Sequence, residues 1–179
     1  VLNDDLRRRL IVVPQEPFLF ANTIFYNLQF AEPNATSSDM VAAFTELGLS
    51  DWLDSLPSGL ETHVGQRGSS LSAGERQLVA LVRASMVRPD VLVLDEATSS
   101  VDSLTEVRIS RALERLALGR TTISIAHRLS TASRADRVVM LESGRIVEDG
   151  SHASLMNANG KYAALYEAWL NSTNGESRD

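Results

Sequence analysis

The segment Val91-Leu92-Val93-Leu94-Asp95-Glu96 constrains the fold of this chain more than any other. Four consecutive branched aliphatics without polar alternation read as a strand buried on both faces, as in a parallel sheet flanked by helices. Such a strand ending in two adjacent carboxylates is costly unless the acids have a task. In open α/β sheets ligands gather at the carboxyl ends of strands, so Asp95 and Glu96 emerge where chemistry is done. Asp95 suits Mg²⁺, a hard cation usually held by one or two carboxylates together with substrate phosphates. Glu96, beside it, is placed to orient or deprotonate a water. On the hexapeptide alone, a strand end whose acids simply face solvent is the competing reading.

With 179 residues, 44% hydrophobic and 22% charged, the chain can bury one sizeable core and a small subdomain. A net charge of -6 argues against nucleic acid as a partner, which would require clustered Lys and Arg on one face. The absence of cysteine excludes disulfides and thiolate metal sites and fits a reducing compartment. There is no apolar run long enough to cross a bilayer and no signal peptide, so a membrane role would come through a partner. The chain starts at Val1, in the middle of a pattern, and is expected to be a piece of something longer.

Four stretches follow from the pattern. Residues 1–37 contain Leu10-Ile11-Val12-Val13, a short strand halted by Pro14, with Gln15 on the loop behind it. Residues 38–89 turn helical, with Val41, Phe44, Leu47 and Leu49, then Trp52, Leu53 and Leu56, at helical spacing before Pro57-Ser58-Gly59. Residues 90–150 return to strands. They hold Val91 to Glu96, a crossover helix over Leu104 to Leu118 carrying Val107, Leu113 and Leu116, the strand Thr121 to Ala126, and a hairpin around Ser143-Gly144. Residues 151–179 hold two short helices, near Ala153 and from Tyr162 to Leu170, and a polar stretch from Asn171 to Asp179 that reads as a frayed tail.

The segment Gly68 to Gln77 is the second informative site. Ser72 followed three residues later by Glu75 makes a capping box, with Leu78, Leu81, Val82 and Met86 on the apolar face of the helix behind it. Gly74 leaves the first turn without a side chain, so backbone N–H groups and the positive end of the helix dipole stay open to an anion, phosphate being the obvious one. An ordinary capped helix is the alternative when the segment is taken by itself.

Together these residues resemble the nucleotide-binding domains of ATP-binding cassette (ABC) transporters. Leu71-Ser72-Ala73-Gly74-Glu75 is similar to the signature motif and Val91 to Glu96 to the Walker B strand. Ser99-Ser100-Val101-Asp102 resembles the D-loop, Gln15 the Q-loop glutamine and His127 the switch histidine. Pro17 to Phe20, Thr23-Ile24, Asn27-Leu28 and Thr62 to Gly68 look like the exporter branch. The resemblance implies an α/β fold: part of a P-loop NTPase (RecA-like) parallel-sheet core with an inserted α-helical subdomain. It implies ATP and Mg²⁺ as ligands. Glu96 would be the general base, His127 a contact to the γ-phosphate, and Gln15 and Asp95 the ligands of Mg²⁺ and the attacking water. Ser72, Gly74 and Asp102 would be offered to ATP held by a second nucleotide-binding domain in a head-to-tail dimer. A transmembrane domain would be the other partner, at the cytoplasmic face of a bacterial plasma membrane; the preference for Arg over Lys points to a GC-rich bacterial gene. Asp102 also has a competing use as a helix N-cap.

Departures from the family pattern are specific. Ala73 replaces a glycine and Glu75 a glutamine of the commonest signature, and a carboxylate there should repel phosphate unless it turns back to the cap or is paired, with Arg76 a candidate neutraliser. His63 and Gln66 stand where exporters often carry glutamates. The phosphate-cradling pattern Gly-x-x-x-x-Gly-Lys-Ser/Thr is absent, the only lysine being Lys161, so the isolated chain is expected to be inactive. A non-catalytic half-domain that docks on a complete partner is one alternative, disfavoured by the retention of Glu96 and His127. A soluble ABC-type ATPase of DNA repair or translation is another, disfavoured by the exporter-like stretch from Pro14 to Leu28.

Overall fold

The computed structural model describes residues 6, 9–96, 101–126 and 129–175, and of Glu96 and residues 172–175 the backbone alone. The chain forms two compact units, Val1–Ile125 and Ala126–Asp179.

In the first unit, β1 (Leu10–Val13), β2 (Val91–Glu96) and β3 (Thr121–Ala126) form a sheet in the order β1-β2-β3. β1 and β2 are parallel, with Leu10 opposite Val91 and Val13 opposite Leu94. Between them run α1 (Ile24–Gln29), α2 (Ser37–Leu47), α3 (Ser50–Ser55) and α4 (Ala73–Val87), and α5 (Ser103–Ala117) connects β2 to β3. One continuous core joins Val13 and Leu92 of the strands to Phe44, Trp52, Leu78, Leu81 and Ile109 of the helices.

The sheet is buried less evenly than the apolar run predicts. Leu92 is fully buried, while Val91, Val93 and Leu94 are only partly so. Side chains alternate across a strand, and α4 packs on β1. Val13 therefore faces the core, whereas Val12, on the other side, is 57% exposed.

Two helical faces also differ from expectation. α2 buries Met40, Ala43, Phe44 and Leu47 and leaves Val41 44% exposed. α5 buries Thr105, Ile109, Ala112 and Leu116, leaving Val107 46% exposed and Leu113 packed at the core margin. In both cases the buried set keeps the i, i+3/i+4, i+7 spacing of one helical face; Val41 sits about 100° from Met40, and Val107 about 160° from Thr105 and Ile109. α4 is buried over most of its circumference, including Leu78, Val79, Leu81, Val82 and Ser85. Such burial marks a helix surrounded by other elements rather than one resting on them.

The second unit pairs β4 (Val138–Glu142) and β5 (Arg145–Gly150) as an antiparallel hairpin, with short α6 (Leu129–Ala132), α7 (His152–Asn157) and α8 (Lys161–Gly175). Ser143 and Gly144 both have positive φ, 49° and 76°, the twist that a two-residue hairpin turn requires. Ala132, Leu155 and Tyr162 make a small core with Val138, Met140 and Tyr166 against it. The Glu148 carboxylate accepts the Lys161 and Tyr162 backbone N–H groups at 2.7 and 2.8 Å, closing the start of α8. His152 Nδ1 lies 2.8 Å from the Tyr162 hydroxyl. α8 runs on to Gly175, so the first part of the stretch expected to be a frayed tail is helical.

Candidate functional site

The β1–β2 register defines the site. Val13 is opposite Leu94 on parallel strands; Asp95 follows one residue beyond this pair and Gln15 two residues beyond. The carboxylate and the amide therefore leave adjacent strands at the same edge. Gln15 is exposed and Asp95 half-buried. Glu96 ends β2, and its side chain lies outside the described residues, as do His127, Ser99 and Ser100.

The donors at this edge are oxygens, an aspartate carboxylate and a glutamine amide, which suit a hard cation. Among the described residues no group of three or more His, Cys, Asp or Glu is assembled to hold a metal ion. The carboxylate and amide oxygens of Asp95 and Gln15 fit Mg²⁺, which takes one or two protein oxygens and completes its shell with water and phosphate. Asp95 and Gln15 would hold it.

The capping box at the start of α4 is formed from both sides. Ser72 Oγ accepts the Glu75 N–H at 3.2 Å, and Glu75 Oε2 accepts the Ser72 N–H at 2.8 Å. The other carboxylate oxygen, Oε1, accepts the indole N–H of Trp52 at 3.4 Å. The extra negative charge of this signature-like segment is thus turned back onto its own cap and onto a side chain of α3. Arg76 is engaged elsewhere: its guanidinium donates to the Leu71 carbonyl at 2.8 Å.

Gly74 is buried, and the direction its missing side chain would take is filled rather than open. A Cβ there would come within 2.7 Å of Val101 Cγ1 and still closer to the Thr105 methyl, Cγ2. The glycine therefore serves a close approach between the starts of α4 and α5. Ser72 and Ala73, on the outer side of the turn, are exposed.

Asp102 is the N-cap of α5. Its Oδ1 accepts the Thr105 N–H at 3.0 Å, and with the Thr105 hydroxyl this holds its carboxyl below the usual aspartate range. The carboxylate is exposed.

Several organising residues carried no sequence signal strong enough to single them out. Trp52 reads as one more apolar residue of α3, yet it supplies the partner of Glu75. Asn27 is fully buried in α1; its Oδ1 accepts the Phe20 N–H at 2.8 Å, and its Nδ2 donates to the Thr23 and Phe20 carbonyls at 2.9 and 3.1 Å. It thereby fixes the loop that presents Phe18, Phe20, Tyr26 and Phe30, whose rings pack edge-on or tilted about Phe20 while Phe18 and Phe30 stay largely exposed. His63 makes an isolated antiparallel bridge with Thr23, tying the segment before α4 to the start of α1.

Known proteins resemble this chain in sequence and fold. The ABC transporter family model matches residues 2–99. The chain is 48% identical over 161 residues to "ABC transporter aclQ" of Aspergillus oryzae, covering 90% of this chain and 20% of that protein. It is 46% identical over 165 residues to the "ATP-dependent lipid A-core flippase" of Ralstonia nicotianae, covering 90% and 28%. Among solved structures, a bacterial Atm1-family ABC exporter with ATP bound superposes with a TM-score of 0.82 at 40% identity, over 93% of this chain and 29% of that one. The chain thus spans between a fifth and three tenths of the length of these relatives. With a parallel strand pair delivering Asp95 and Glu96 to one sheet edge, a signature-like capped helix at Ser72, and a family match over more than half its length, this chain belongs to the ABC transporter family.

Proposed function

We propose that this chain is part of the ATP-binding domain of an ABC exporter, in which it takes part in ATP hydrolysis coupled to transport. The observation that carries the reading is the β1–β2 register, which leaves Gln15 and the Asp95-Glu96 pair at one sheet edge. The exporter with bound ATP that superposes on the chain supports the choice of nucleotide.

On this reading Glu96 takes a proton from the attacking water, and Gln15 orients that water. His127 donates to the γ-phosphate as charge develops in the transition state. Asp95 and Gln15 hold Mg²⁺, which when bound supplies positive charge against the phosphate oxygens. Ser72 and Asp102 face ATP bound by a second nucleotide-binding domain, with the buried Gly74 shaping the turn that presents Ser72, so that each site is completed by two surfaces. The helical stretch 38–89, with its signature-like helix, transmits closure of that dimer. The exposed Phe18 and Phe30 support docking of the adjoining loop on a transmembrane domain. None of the described helices is long and apolar enough to cross a membrane; on this reading the domain works at the cytoplasmic face of a bacterial plasma membrane, beside that transmembrane partner.

The test is Glu96→Gln in the full-length protein. Turnover is expected to disappear while ATP-dependent dimerisation persists, because the amide keeps the shape of the carboxylate and loses its basicity. Unchanged ATPase activity would refute the assignment.

A further inference from the structure

The surface proposed to face the opposite ATP comes from two separate helix starts, Ser72 at α4 and Asp102 at α5. What keeps them in register is visible in the packing. The Thr105 methyl and Val101 Cγ1 fill the space where Gly74 lacks a side chain. Thr105 is itself buried, and its N–H donates to Asp102 Oδ1 at 3.0 Å. One residue thus touches the α4 turn with its methyl and the α5 cap with its backbone N–H.

The rest of α5 is tied to the same helical group. Arg108 Nη2 lies 2.8 Å from Asp51 Oδ2 of α3, and the Arg115 guanidinium reaches the Thr45 and Glu46 carbonyls at the end of α2. Interiors are close-packed and transmit displacement rather than absorb it. An α5 anchored at three points along its length to α2, α3 and α4 moves with them.

From this we infer that Thr105 is a positioning residue that locks the Ser72–Gly74 turn and the Asp102 carboxylate into one rigid surface, and that Gly74 is glycine to admit the Thr105 and Val101 side chains. The inference rests on the ATPase reading above and adds a residue and a cause to it. Because the two elements act on nucleotide held by another domain, disturbing Thr105 slows turnover and weakens ATP-dependent dimerisation, while binding of ATP itself is left alone.

The test uses the full-length protein, with ATPase kcat and KM, ATP-dependent dimerisation and the melting temperature measured for each variant. Gly74→Ala is expected to lower kcat at least tenfold with KM for Mg·ATP within about twofold. The triple variant Gly74→Ala, Val101→Ala, Thr105→Ser clears the space for the new methyl, which refills it, so it is expected to regain kcat to within about threefold of the unaltered protein. A folded triple variant as slow as Gly74→Ala would overturn the inference, because the glycine would then be required for contact with the ligand itself. Thr105→Ser removes only the methyl that fills the space beside Gly74, so it decides the matter even if Gly74→Ala fails to fold. It is expected to lower kcat several-fold at constant KM with the fold retained, and an unchanged kcat would overturn the coupling of the two helix starts through Thr105. Absence of ATP turnover in the unaltered protein would instead overturn the ATPase reading beneath both.

Discussion

Truncating Glu75 to alanine removes both contacts of a carboxylate that sits at the start of α4. Its Oε2 accepts the Ser72 N–H at 2.8 Å, a short charge-assisted bond of the kind worth about 1 to 2 kcal/mol at a helix cap. Its Oε1 accepts the Trp52 indole N–H at 3.4 Å, a long and individually weak bond. Trp52 is only 2% exposed, however, and a buried donor left without its acceptor costs roughly 1 kcal/mol or more. Loss of a negative charge from the first turn adds about 0.3 to 1 kcal/mol. The expected destabilisation for Glu75→Ala is therefore about 2 to 4 kcal/mol. Ser72→Ala removes a single exposed acceptor at 3.2 Å and is expected to cost about 1 kcal/mol. Urea unfolding followed by far-UV circular dichroism on the single variants, Trp52→Phe and the Trp52→Phe, Glu75→Ala pair gives the ordering and the coupling. A coupling energy of about 0.5 to 1.5 kcal/mol is expected between Trp52 and Glu75. A Glu75→Ala cost no larger than that of Ser72→Ala, with coupling near zero, would show that the carboxylate is not held between cap and indole.

Three further outcomes are expected. Asp39, Asp51, Asp102 and Asp149 are all held below the usual carboxylate value of 3.8, by the Thr36 hydroxyl, the Arg108 guanidinium, the Thr105 N–H and the Arg137 guanidinium respectively. A lowered folded-state pKa contributes stability that is complete above the unfolded value and is lost as pH falls through the folded one, so thermal melts should decline below about pH 4; loss already complete at pH 5 would contradict this. Glu148→Ala should free the start of α8, at a cost of about 1 to 2 kcal/mol, and amide exchange should rise first at Lys161 and Tyr162; exchange unchanged there would show that the cap is not needed. The 179-residue chain by itself, whose sequence lacks the glycine-lysine phosphate loop, should bind Mg·ATP weakly and hydrolyse none measurably. Tight binding in a calorimetric titration would overturn that expectation.

How much of this protein was readable from its sequence depends on the distance over which each interaction acts. The apolar run into Asp95 and Glu96, the Ser72–Glu75 box, the Asp102 cap and the Ser143-Gly144 turn involve residues within one turn or one strand, and periodicity or spacing exposes them. The family resemblance rests on the same short segments. The polar composition of residues 171–179 misled in part, because a helix whose first N–H groups are closed by Glu148 from another element continues past the point where its own sequence favours it.

Tertiary structure decided which face of each helix is inside. The valines at 41 and 107 fit an apolar pattern, but the surfaces available for packing select Met40 and Ile109 instead. It also decided what the signature-like turn leans on. Trp52 reaches Glu75 across 23 residues of chain, and Thr105 reaches Gly74 from the next helix. The amino-acid order therefore determined the chemistry carried at each strand end and helix start, since those signals are local. Only the fold determined how these groups are aimed and held together, because a side chain distant in sequence becomes a neighbour only when close packing brings the elements into contact.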